Sequence, residues 1–363
     1  MNKLEALIEQ YCPEGIEFKD LREVAKISNG KDHKYLEAGN YPVYGSGGIM
    51  RYVNQFIYNV ESVLIPRKGS IGNIFYVSEP FWTVDTIFYT KIDRRSITPK
   101  FLYYYLKTLD LTELNFAGGV PSLTKTILDR ISIPVPPLPV QEEIVNILDK
   151  FTSLEAELEA ELEARKTQYE FYRNQLLNFE GKEVEWKTLG EVCNMRAGKA
   201  ISSSDISEAQ SKNNFYPCIG GNNLRGYVKS FSHEGEFPII GRQGALCGNV
   251  CYVKGRFYAT EHAVVVRPRE LFNSRFLYYL LISMDLNQYA TGGAQPGLSV
   301  IRIERIPIPI PPLSEQERIV EILDKFDALV NDISEGLPAE IRARRKQYEY
   351  YRNKLLTFKP LAN

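Results

Sequence analysis

The chain of 363 residues contains neither a long hydrophobic run nor an amino-terminal signal core. No apolar stretch reaches the roughly eighteen residues that mark a membrane-spanning helix. The amino terminus, MNKLEALIEQYCPEG, lacks the apolar core of a signal peptide. We therefore expect a soluble, cytoplasmic protein that has no membrane partner.

Cysteines are few, and none of the five lies in a C-x-x-C pair. Cys247 and Cys251 are separated by three residues, and only His233 and His262 lie near them in sequence. We predict reduced, packed thiols of an intracellular protein and no metal site. A zinc site at Cys247 and Cys251 is the alternative that the sequence leaves open.

Positive charge is not in excess, since 44 Lys and Arg residues face 45 Asp and Glu residues. A protein that neutralises DNA phosphates usually carries a basic excess. Any DNA-binding surface must therefore arise from segregation of charge. One acidic block indicates such segregation: Glu155, Glu157, Glu159, Glu161 and Glu163.

Catalytic motifs are also missing. The sequence has no Walker A loop, G-x-x-x-x-G-K-[ST]. The prolines at 136–137 and 311–312 superficially resemble an adenine methyltransferase tetrapeptide, but Val135 and Ile310 occupy the position of its hydrogen-bond acceptor. We interpret these prolines as hinges between a domain and a helix.

Two Glu-x-Lys segments, at 17–19 and 185–187, match the tail of a metal-nuclease motif. No convincing acidic strand precedes either segment, and carboxylates without a fixed partner do not make a catalytic site. We predict that these are solvated charges beside a buried Phe18 or Trp186.

The most informative feature that is present is an internal repeat. The segment IPVPPLPVQEEIVNILDKF at 133–151 returns as IPIPPLSEQERIVEILDKF at 308–326, and ARKTQYEFYRNQLLNF at 164–179 returns as ARRKQYEYYRNKLLTF at 343–358. Weaker matches upstream follow the same order. The chain is therefore a tandem duplication whose connectors stay nearly identical while its globular parts have diverged.

Each connector carries apolar residues at three- and four-residue spacing, which predicts an amphipathic helix with a narrow seam. Two helices of roughly forty residues would each span about 60 Å, and we expect them to pair antiparallel. Ser314 and Glu317 predict a capping box at the start of the second helix. Pro338, with Gly336 nearby, predicts a kink or break inside it.

The globular parts contain short β-rich runs between glycine and asparagine turns, such as 62–66, 73–77 and 87–91, followed by a helix near 101–109 or 276–284. The predicted fold is two tandem mixed α/β (α+β) domains, related by a pseudo-two-fold repeat and separated by two long helices packed as an antiparallel coiled coil. The predicted boundaries are 1–138 for the first domain, 139–180 for the first helix, 181–313 for the second domain and 314–363 for the second helix.

Donor-rich loops that contain glycine occupy matched places in the two domains. Arg, Gln, Asn, Ser and Lys can read base edges, and glycine lets the backbone approach a phosphate. A glycine–asparagine cluster alone is most often only a turn, but four such loops occur twice. The candidate DNA contacts are Lys31, Ser46, Gly47, Arg67, Lys68, Ser70, Gly119, Lys199, Asn222, Asn223, Arg225, Arg242, Gln243, Gly293 and Gln295.

These motifs, taken in order, resemble those of type I restriction–modification specificity subunits. They are a Lys-x-Leu-x-Glu-Val start, Tyr-Pro-x-x-Gly, Arg-x-Gly, a tyrosine-rich helix, a Gly-Gly loop and I-P-[VI]-P-P-L-x-x-Q-x-x-I-V-x-I-L-D-K-F. The resemblance covers essentially the whole chain. Its most specific part, the proline-to-helix segment, occurs twice.

The resemblance implies a non-catalytic subunit that binds double-stranded DNA with a bipartite target, one half to each target-recognition domain. The helices would set the spacer and dock two methyltransferase subunits that modify adenine, and restriction subunits would complete an ATP-dependent nuclease. This chain would bind no cofactor; S-adenosylmethionine, ATP and Mg²⁺ are implied for the partner subunits. The expected residues of the partner-binding helices are Ile144, Leu148, Phe151, Tyr169, Tyr172, Ile319, Leu323, Phe326, Tyr348 and Tyr351.

Two other functions stay open at the level of sequence. One is a stand-alone DNA-modifying enzyme, a nuclease or a methyltransferase, against which the missing motifs argue. The other is a non-DNA scaffold whose helices join two protein-binding domains, which the balanced charge permits.

Deletion of residues 158–161 is expected to shorten the recognised spacer without altering either half-site. These residues form half of a tandem LEAE repeat at 154–161. Four helical residues correspond to about 6 Å, which is between one and two base-pair steps of about 3.4 Å. Sequencing the methylated adenines in cells that carry the variant measures the spacer, and altered half-sites would contradict the prediction.

Overall fold

The computed structural model describes residues 3–114, 122–244, 246–270, 272–292, 296–332 and 334–361. The chain divides into two compact units: unit 1 is Met1–Glu159 with Ile341–Asn363, and unit 2 is Ala160–Glu340. Each unit therefore combines one globular domain with parts of both connectors. Within the described ranges, no helix combines the length and the apolar composition that crossing a membrane requires.

Unit 1 contains a four-stranded sheet, a three-stranded sheet and a two-stranded pair. The elements of the first repeat are α1 (Lys3–Tyr11), β1 (Phe18–Asp20), α2 (Leu21–Val24), β2 (Ala25–Asn29), β3 (Ala38–Gly45), β4 (Gly48–Val53), β5 (Ser62–Pro66), β6 (Phe75–Val77), β7 (Trp82–Thr83), β8 (Ile87–Ile92), α3 (Pro99–Leu106), α4 (Lys125–Leu128), β9 (Ser132–Pro134) and α5 (Leu138–Leu176). The strand orders are β2-β8-β5-β6, β4-β3-β7 and β1-β9. Neighbouring strands are antiparallel except β3 and β7.

Strand β5 is buried on both faces, and its side chains alternate between two cores. Val63 and Ile65 pack in a core that includes Phe101 of α3, whereas Leu64 packs in a second core with Phe81. The alternation follows from the two-residue period of a strand. A slip of one residue would exchange the two sets, so burial fixes the register of this strand.

Unit 2 contains one six-stranded sheet. The elements of the second repeat are β10 (Glu185–Thr188), α6 (Leu189–Val192), β11 (Cys193–Ala197), β12 (Tyr216–Gly220), β13 (Asn223–Val228), β14 (His233–Gly241), β15 (Val250–Ala259), β16 (Ala263–Pro268), α7 (Ser274–Ser283), α8 (Val300–Glu304), β17 (Pro307–Ile310), α9 (Leu313–Asn331) and α10 (Leu337–Leu355). The six strands lie in the order β11-β16-β14-β15-β12-β13, and β10 pairs separately with β17.

One long strand of unit 2 replaces two short strands of unit 1. Strand β15 pairs antiparallel with β14 and parallel with β12, which joins all six strands into one sheet. In unit 1 the corresponding segment is split into β6 and β7, with Pro80 between them where unit 2 has Arg256. Proline has no N–H to donate to a strand ladder, which accounts for the division of the unit 1 sheet.

The two connectors differ in continuity. The first is one helix of 39 residues, α5. The second is two helices: α9 ends at Asn331, and α10 begins at Leu337 with Pro338 in its first turn. This break confirms the prediction made from Pro338, because proline fits a first turn but not a helix interior. The predicted coiled coil of two long helices is not confirmed.

The predicted capping box at Ser314 and Glu317 is wrong. Helix α9 begins at Leu313, and the residue before it, Pro312, has no capping side chain. The Pro312 carbonyl accepts the first helical hydrogen bonds. Ser314 therefore lies inside the first turn rather than at its cap.

Within each unit, a phenylalanine from the first half of one connector packs on a tyrosine from the second half of the other. In unit 1, the ring centroids of Phe151 in α5 and Tyr351 in α10 are 5.5 Å apart and the rings are stacked. In unit 2, the ring centroids of Phe326 in α9 and Tyr172 in α5 are 5.7 Å apart. The two contacts join equivalent positions of the repeat.

Gly30 follows β2 in unit 1 and Gly198 follows β11 in unit 2. Each of these glycines permits two backbone segments to approach closely. A Cβ on Gly30 would lie 2.0 Å from the Val84 carbonyl oxygen, and a Cβ on Gly198 would lie 2.1 Å from that of Ala259. Real Cβ atoms do not come so close to backbone oxygens. The glycine at this point of both repeats is therefore a steric requirement.

We expect Gly30→Ala to lower the free energy of unfolding by about 1–3 kcal/mol, the usual cost of overpacking a tight site. Gly72→Ala is the matched control, because no atom lies within 4 Å of its added Cβ. Urea denaturation of the two variants measures the difference. Equal unfolding midpoints would contradict the steric argument.

Candidate nucleic-acid interface

A two-residue hairpin turn occupies the same place in both units. Ser46 and Gly47 connect β3 to β4, and residues 221–222 connect β12 to β13. The residue after each turn has a positive φ, +116° at Gly48 and +76° at Asn223. Glycine adopts this conformation freely, and asparagine tolerates it better than most residues. The predicted loops are therefore hairpin turns with matched backbone conformations.

The Arg-x-Gly loops lie against the segments that follow the predicted Gly-Gly loops. Lys68 forms a β-bridge with Ser122, and Gln243 forms the equivalent bridge with Gly297. Segments far apart in sequence thus meet in the same way in both units. Three candidate contacts lie outside the described residues: Gly119, Gly293 and Gln295.

In unit 1, the hairpin turn forms one side of an open cleft of about 810 Å³. The cleft is lined by residues 32–34, 45–50 and 84–86. The backbone carbonyl of Ser46 accepts a hydrogen bond of 3.3 Å from the Asn73 amide, which links the hairpin to the loop that follows Arg67. Ser46 and Gly47 are therefore placed at the cleft.

In unit 2, the equivalent cleft measures about 560 Å³. It is lined by residues 220–225, with Gln243, Gly244 and His262. Four predicted contacts, Asn222, Asn223, Arg225 and Gln243, are thus brought to one cleft. The Arg225 guanidinium donates to the Ser203 hydroxyl at 3.0 Å and is otherwise exposed.

The two candidate arginines beside the clefts are only half-exposed, and each has a buried Nε atom without a hydrogen-bond partner. The backbone N–H of Arg67 donates to the Thr86 carbonyl at 2.9 Å, and that of Arg242 donates to the His262 carbonyl at 3.0 Å. The Arg67 guanidinium also lies 5.0 Å from the centre of the Phe88 ring. Buried polar atoms usually have partners, so the unpartnered Nε is an unusual feature that the two units share.

Other predicted contacts lie outside the cleft linings. The backbone N–H groups of Lys31 and Lys199 donate to the carbonyls of Thr83 and Ala259, at 2.8 and 3.0 Å, while both lysine side chains are exposed. Ser70 is exposed in the turn after Gly69. Their side chains are available to a ligand.

Several buried polar groups at the clefts or next to them were not among the predicted contacts. His33 and Thr83 in unit 1, and Thr260 and His262 in unit 2, each have a buried side-chain atom without a partner. Glu261 has one as well. Asp85 and Glu261 occupy matched acidic positions before Thr86 and His262, and Asp85 lines the unit 1 cleft.

Part of the acidic block is neutralised inside unit 1. The Arg345 guanidinium of α10 forms ion pairs with Glu155 and Glu159 of α5. Glu155 and Glu159 therefore pair with Arg345 between the two helices. They contribute less negative charge to the rest of the surface than the sequence suggests.

The predicted partner-binding residues of the connectors fall into three groups by exposure. Buried are Ile144, Leu148, Tyr169, Ile319 and Leu323; half-buried are Phe151, Phe326 and Tyr348; exposed are Tyr172, at 37%, and Tyr351, at 36%. Burial also raises the pKa of Tyr169 and of Tyr348 above the ordinary range. The aliphatic side chains and Tyr169 complete the cores of their own units. The predicted residues that present surface are therefore Phe151, Tyr172, Phe326, Tyr348 and Tyr351.

The Glu-x-Lys segments form local ion pairs. Lys19 lies 3.2 Å from the Glu17 carboxylate, and Lys187 lies 3.0 Å from that of Glu185. This agrees with the prediction of solvated charge. The expected burial of the neighbouring Trp186 is wrong, because its side chain is 49% exposed.

All five cysteines are free thiols, and four of them are buried. Burial raises the pKa of Cys193 to about 12 and that of Cys251 to about 11. The prediction of packed thiols is confirmed for the four buried cysteines. In the part of the chain that the structure describes, no group of three or more His, Cys, Asp and Glu side chains is placed to hold a metal ion.

Comparison with known proteins gives a consistent result. The model of the type I restriction modification DNA specificity domain matches residues 13–164 and 181–343. The EcoprrI specificity subunit of Escherichia coli, a type I restriction enzyme subunit, is 48% identical over 299 residues, which are 77% of this chain and 74% of that protein. The EcoR124I/EcoR124II specificity subunit of Escherichia coli is 36% identical over 300 residues, which are 74% and 73% of the two chains.

The fold is also similar to that of a solved structure, the type I restriction–modification S subunit from M. genitalium. The TM-score is 0.65 at 18% identity, and the match covers 94% of this chain and 96% of that chain. The two segments matched by the family model coincide with the two repeats. Because those segments span most of the chain and a relative is nearly half identical, the chain belongs to the family of type I restriction–modification DNA specificity subunits.

Proposed function

We propose that each unit reads one half of a bipartite double-stranded DNA target at its cleft. The observation that supports this most is the duplication of the cleft, with a partly exposed arginine beside it in both units. Base edges and phosphates supply acceptors for such donors. Exposed Lys31, Lys68, Ser70 and Lys199 are suited to phosphate contacts.

The two clefts offer different chemistry, so we propose that the two half-sites differ in sequence. Unit 1 presents Asp32 and Ser46, whereas unit 2 presents Asn222, Arg225 and Gln243. A carboxylate accepts from cytosine, arginine pairs with guanine, and asparagine or glutamine pairs with adenine. An asymmetric target is the expected consequence.

The exposed aromatic residues of the connectors support a docking role for methyltransferase subunits, one to each repeat. Phe171 and Tyr350 occupy equivalent positions and are 62% and 61% exposed. They lie next to Tyr172 and Tyr351 in sequence. Large exposed aromatic side chains that cluster on a surface are typical of interaction sites.

The remaining chemistry is assigned to partner subunits in this proposal. Methyltransferase subunits would use S-adenosylmethionine to modify adenine N6 in each half-site, and restriction subunits would use ATP and Mg²⁺. The chain itself would supply specificity, spacing and docking without a catalytic centre.

Mapping of methylated adenines in cells that carry this chain and its methyltransferase partner tests the function. We expect one bipartite motif with a fixed gap and different half-sites. Methylation or cleavage of DNA by the purified chain alone would instead indicate a stand-alone enzyme, and the absence of salt-dependent DNA binding by the complex would indicate a scaffold.

Alanine substitution of the two arginines separates the half-sites. Arg67→Ala is expected to weaken discrimination in one half-site, and Arg242→Ala in the other, each by about 1–3 kcal/mol if a base edge is read. Binding of the complex to targets altered in one half at a time measures this. Arg95→Ala is the control, since that side chain is 92% exposed and pairs with Asp93. Equal losses on all DNA would indicate phosphate contact only.

A further inference from the structure

Each recognition domain is attached to its connector helix through a fully buried glutamine. In unit 1, the Gln141 side-chain oxygen accepts from the Thr98 backbone N–H at 2.8 Å. Its amide group donates to the carbonyls of Ser96, at 2.9 Å, and Pro136, at 2.7 Å. Gln141 is 0% exposed. Thr98 is the N-cap residue of α3, so this glutamine joins the start of the domain helix to the start of α5.

Unit 2 has the same attachment, made by the glutamine at the equivalent position. The Gln316 side chain is 0% exposed and accepts from the Asn273 backbone N–H at 2.8 Å. Its amide donates to the Pro311 carbonyl at 2.9 Å. Asn273 is the N-cap residue of α7. The same attachment has therefore been kept in both repeats.

A second attachment lies farther along each helix pair. In unit 1, the buried Tyr104 hydroxyl of α3 donates to the Asp149 carboxylate of α5 at 2.6 Å, and Lys100 pairs with the same carboxylate at 2.5 Å. Burial and the bond to Asp149 raise the pKa of Tyr104 far above its usual range. The phenol therefore remains a proton donor at neutral pH.

The corresponding attachment in unit 2 uses an arginine. The Tyr279 hydroxyl donates to the Asp324 carboxylate of α9, and the Arg275 guanidinium pairs with Asp324 at 2.7 Å and with Asp327 at 3.0 Å. Burial likewise raises the pKa of Tyr279. The two attachments in each unit are eight residues apart on the connector, which is about 12 Å of helix.

Two directional contacts about 12 Å apart fix an angle, whereas one contact would act as a pivot. From Asp149, α5 continues to Leu176, a length of about 40 Å. If α5 rotated by about 5° at the attachments of Gln141 and Asp149, its end would move by about 3.5 Å, which is about one base-pair step. Helix α9 ends at Asn331, only about 10 Å beyond Asp324, so the same rotation has a smaller effect there.

The geometry points to Gln141, Tyr104 and Asp149, with their unit 2 counterparts, as positioning residues that determine how strictly the complex enforces spacer length. This inference rests on the proposed function. These residues act through the direction of the connector helix, and they do not touch DNA. Loss of a contact should broaden the range of accepted spacers while leaving the bases read in each half-site unchanged.

Tyr104→Phe tests the inference, because it removes one hydroxyl and keeps the ring. The complex with its methyltransferase subunits is given DNA with fixed half-sites and a spacer that is native, one base pair shorter or one base pair longer. We expect the preference for the native spacer to fall about fivefold, the factor that corresponds to one ordinary hydrogen bond. Tyr279→Phe should give a smaller loss.

Tyr105→Phe is the matched control. Its hydroxyl donates to the Ser132 carbonyl at 3.1 Å, within the recognition domain rather than to the connector helix, so it should leave spacer preference unchanged. Lys100→Met is a second variant that removes the other partner of Asp149, and it should act like Tyr104→Phe. A thermal melt of each complex records any general loss of stability.

The inference is overturned if Tyr104→Phe and Lys100→Met keep the wild-type spacer preference, whether or not their melting temperatures fall. It is also overturned if they change the bases that are read. Failure of the proposed function gives a different result, since the wild-type complex would then show no spacer-dependent methylation at all.

Discussion

A fully buried glutamine at the start of a connector helix cannot exchange its partners for water, so its hydrogen bonds have to be made inside the unit. Gln141 and Gln316 meet this requirement with the same two types of partner, the N-cap of a domain helix and the carbonyl of a proline hinge. A buried polar group left unpaired costs about 1–3 kcal/mol. This constraint accounts for the glutamine that the proline-to-helix segments of both repeats share.

Each connector also has to fit two different environments. The first half of α5 packs in unit 1, where Phe151 meets Tyr351, and its second half packs in unit 2, where Tyr172 meets Phe326. Each of these contacts pairs a residue of one repeat with a residue of the other, so a change in one repeat has to suit the other. The similarity of the connectors therefore has an internal cause as well as the proposed one, binding of the same partner to both.

The globular parts are free to diverge wherever side chains do not determine the backbone. Gly30 and Gly198 persist because a Cβ would clash with a neighbouring strand. The turn residues, by contrast, differ in chemistry on hairpins whose turns have the same length: Ser46 and Gly47 in unit 1, Gly221 and Asn222 in unit 2. Even the sheet tolerates change, as the division at Pro80 shows. Such a scaffold can change the chemistry of its clefts without altering how it folds.

Local patterns in the chain were enough to predict the duplication, the strands at 62–66 and 87–91, the first long helix and the break near Pro338. These features depend on local periodicity and on proline chemistry, which a single stretch of chain displays. The helix start predicted at Ser314 was wrong because the Pro312 carbonyl, and not the Ser314 side chain, accepts the first helical hydrogen bonds.

Which loops meet, and which atoms are left without partners, depends instead on contacts that form when the chain folds. Residues far apart in sequence meet at the bridge between Lys68 and Ser122 and at the attachment between Gln141 and Thr98. The missing partner of the Arg67 Nε is likewise visible only in the fold. Contacts of this kind depend on strand register and on burial, and neither leaves a local pattern in the chain. For the same reason, the sequence indicated donor-rich loops in both repeats, but only folding showed which of them line a common cleft.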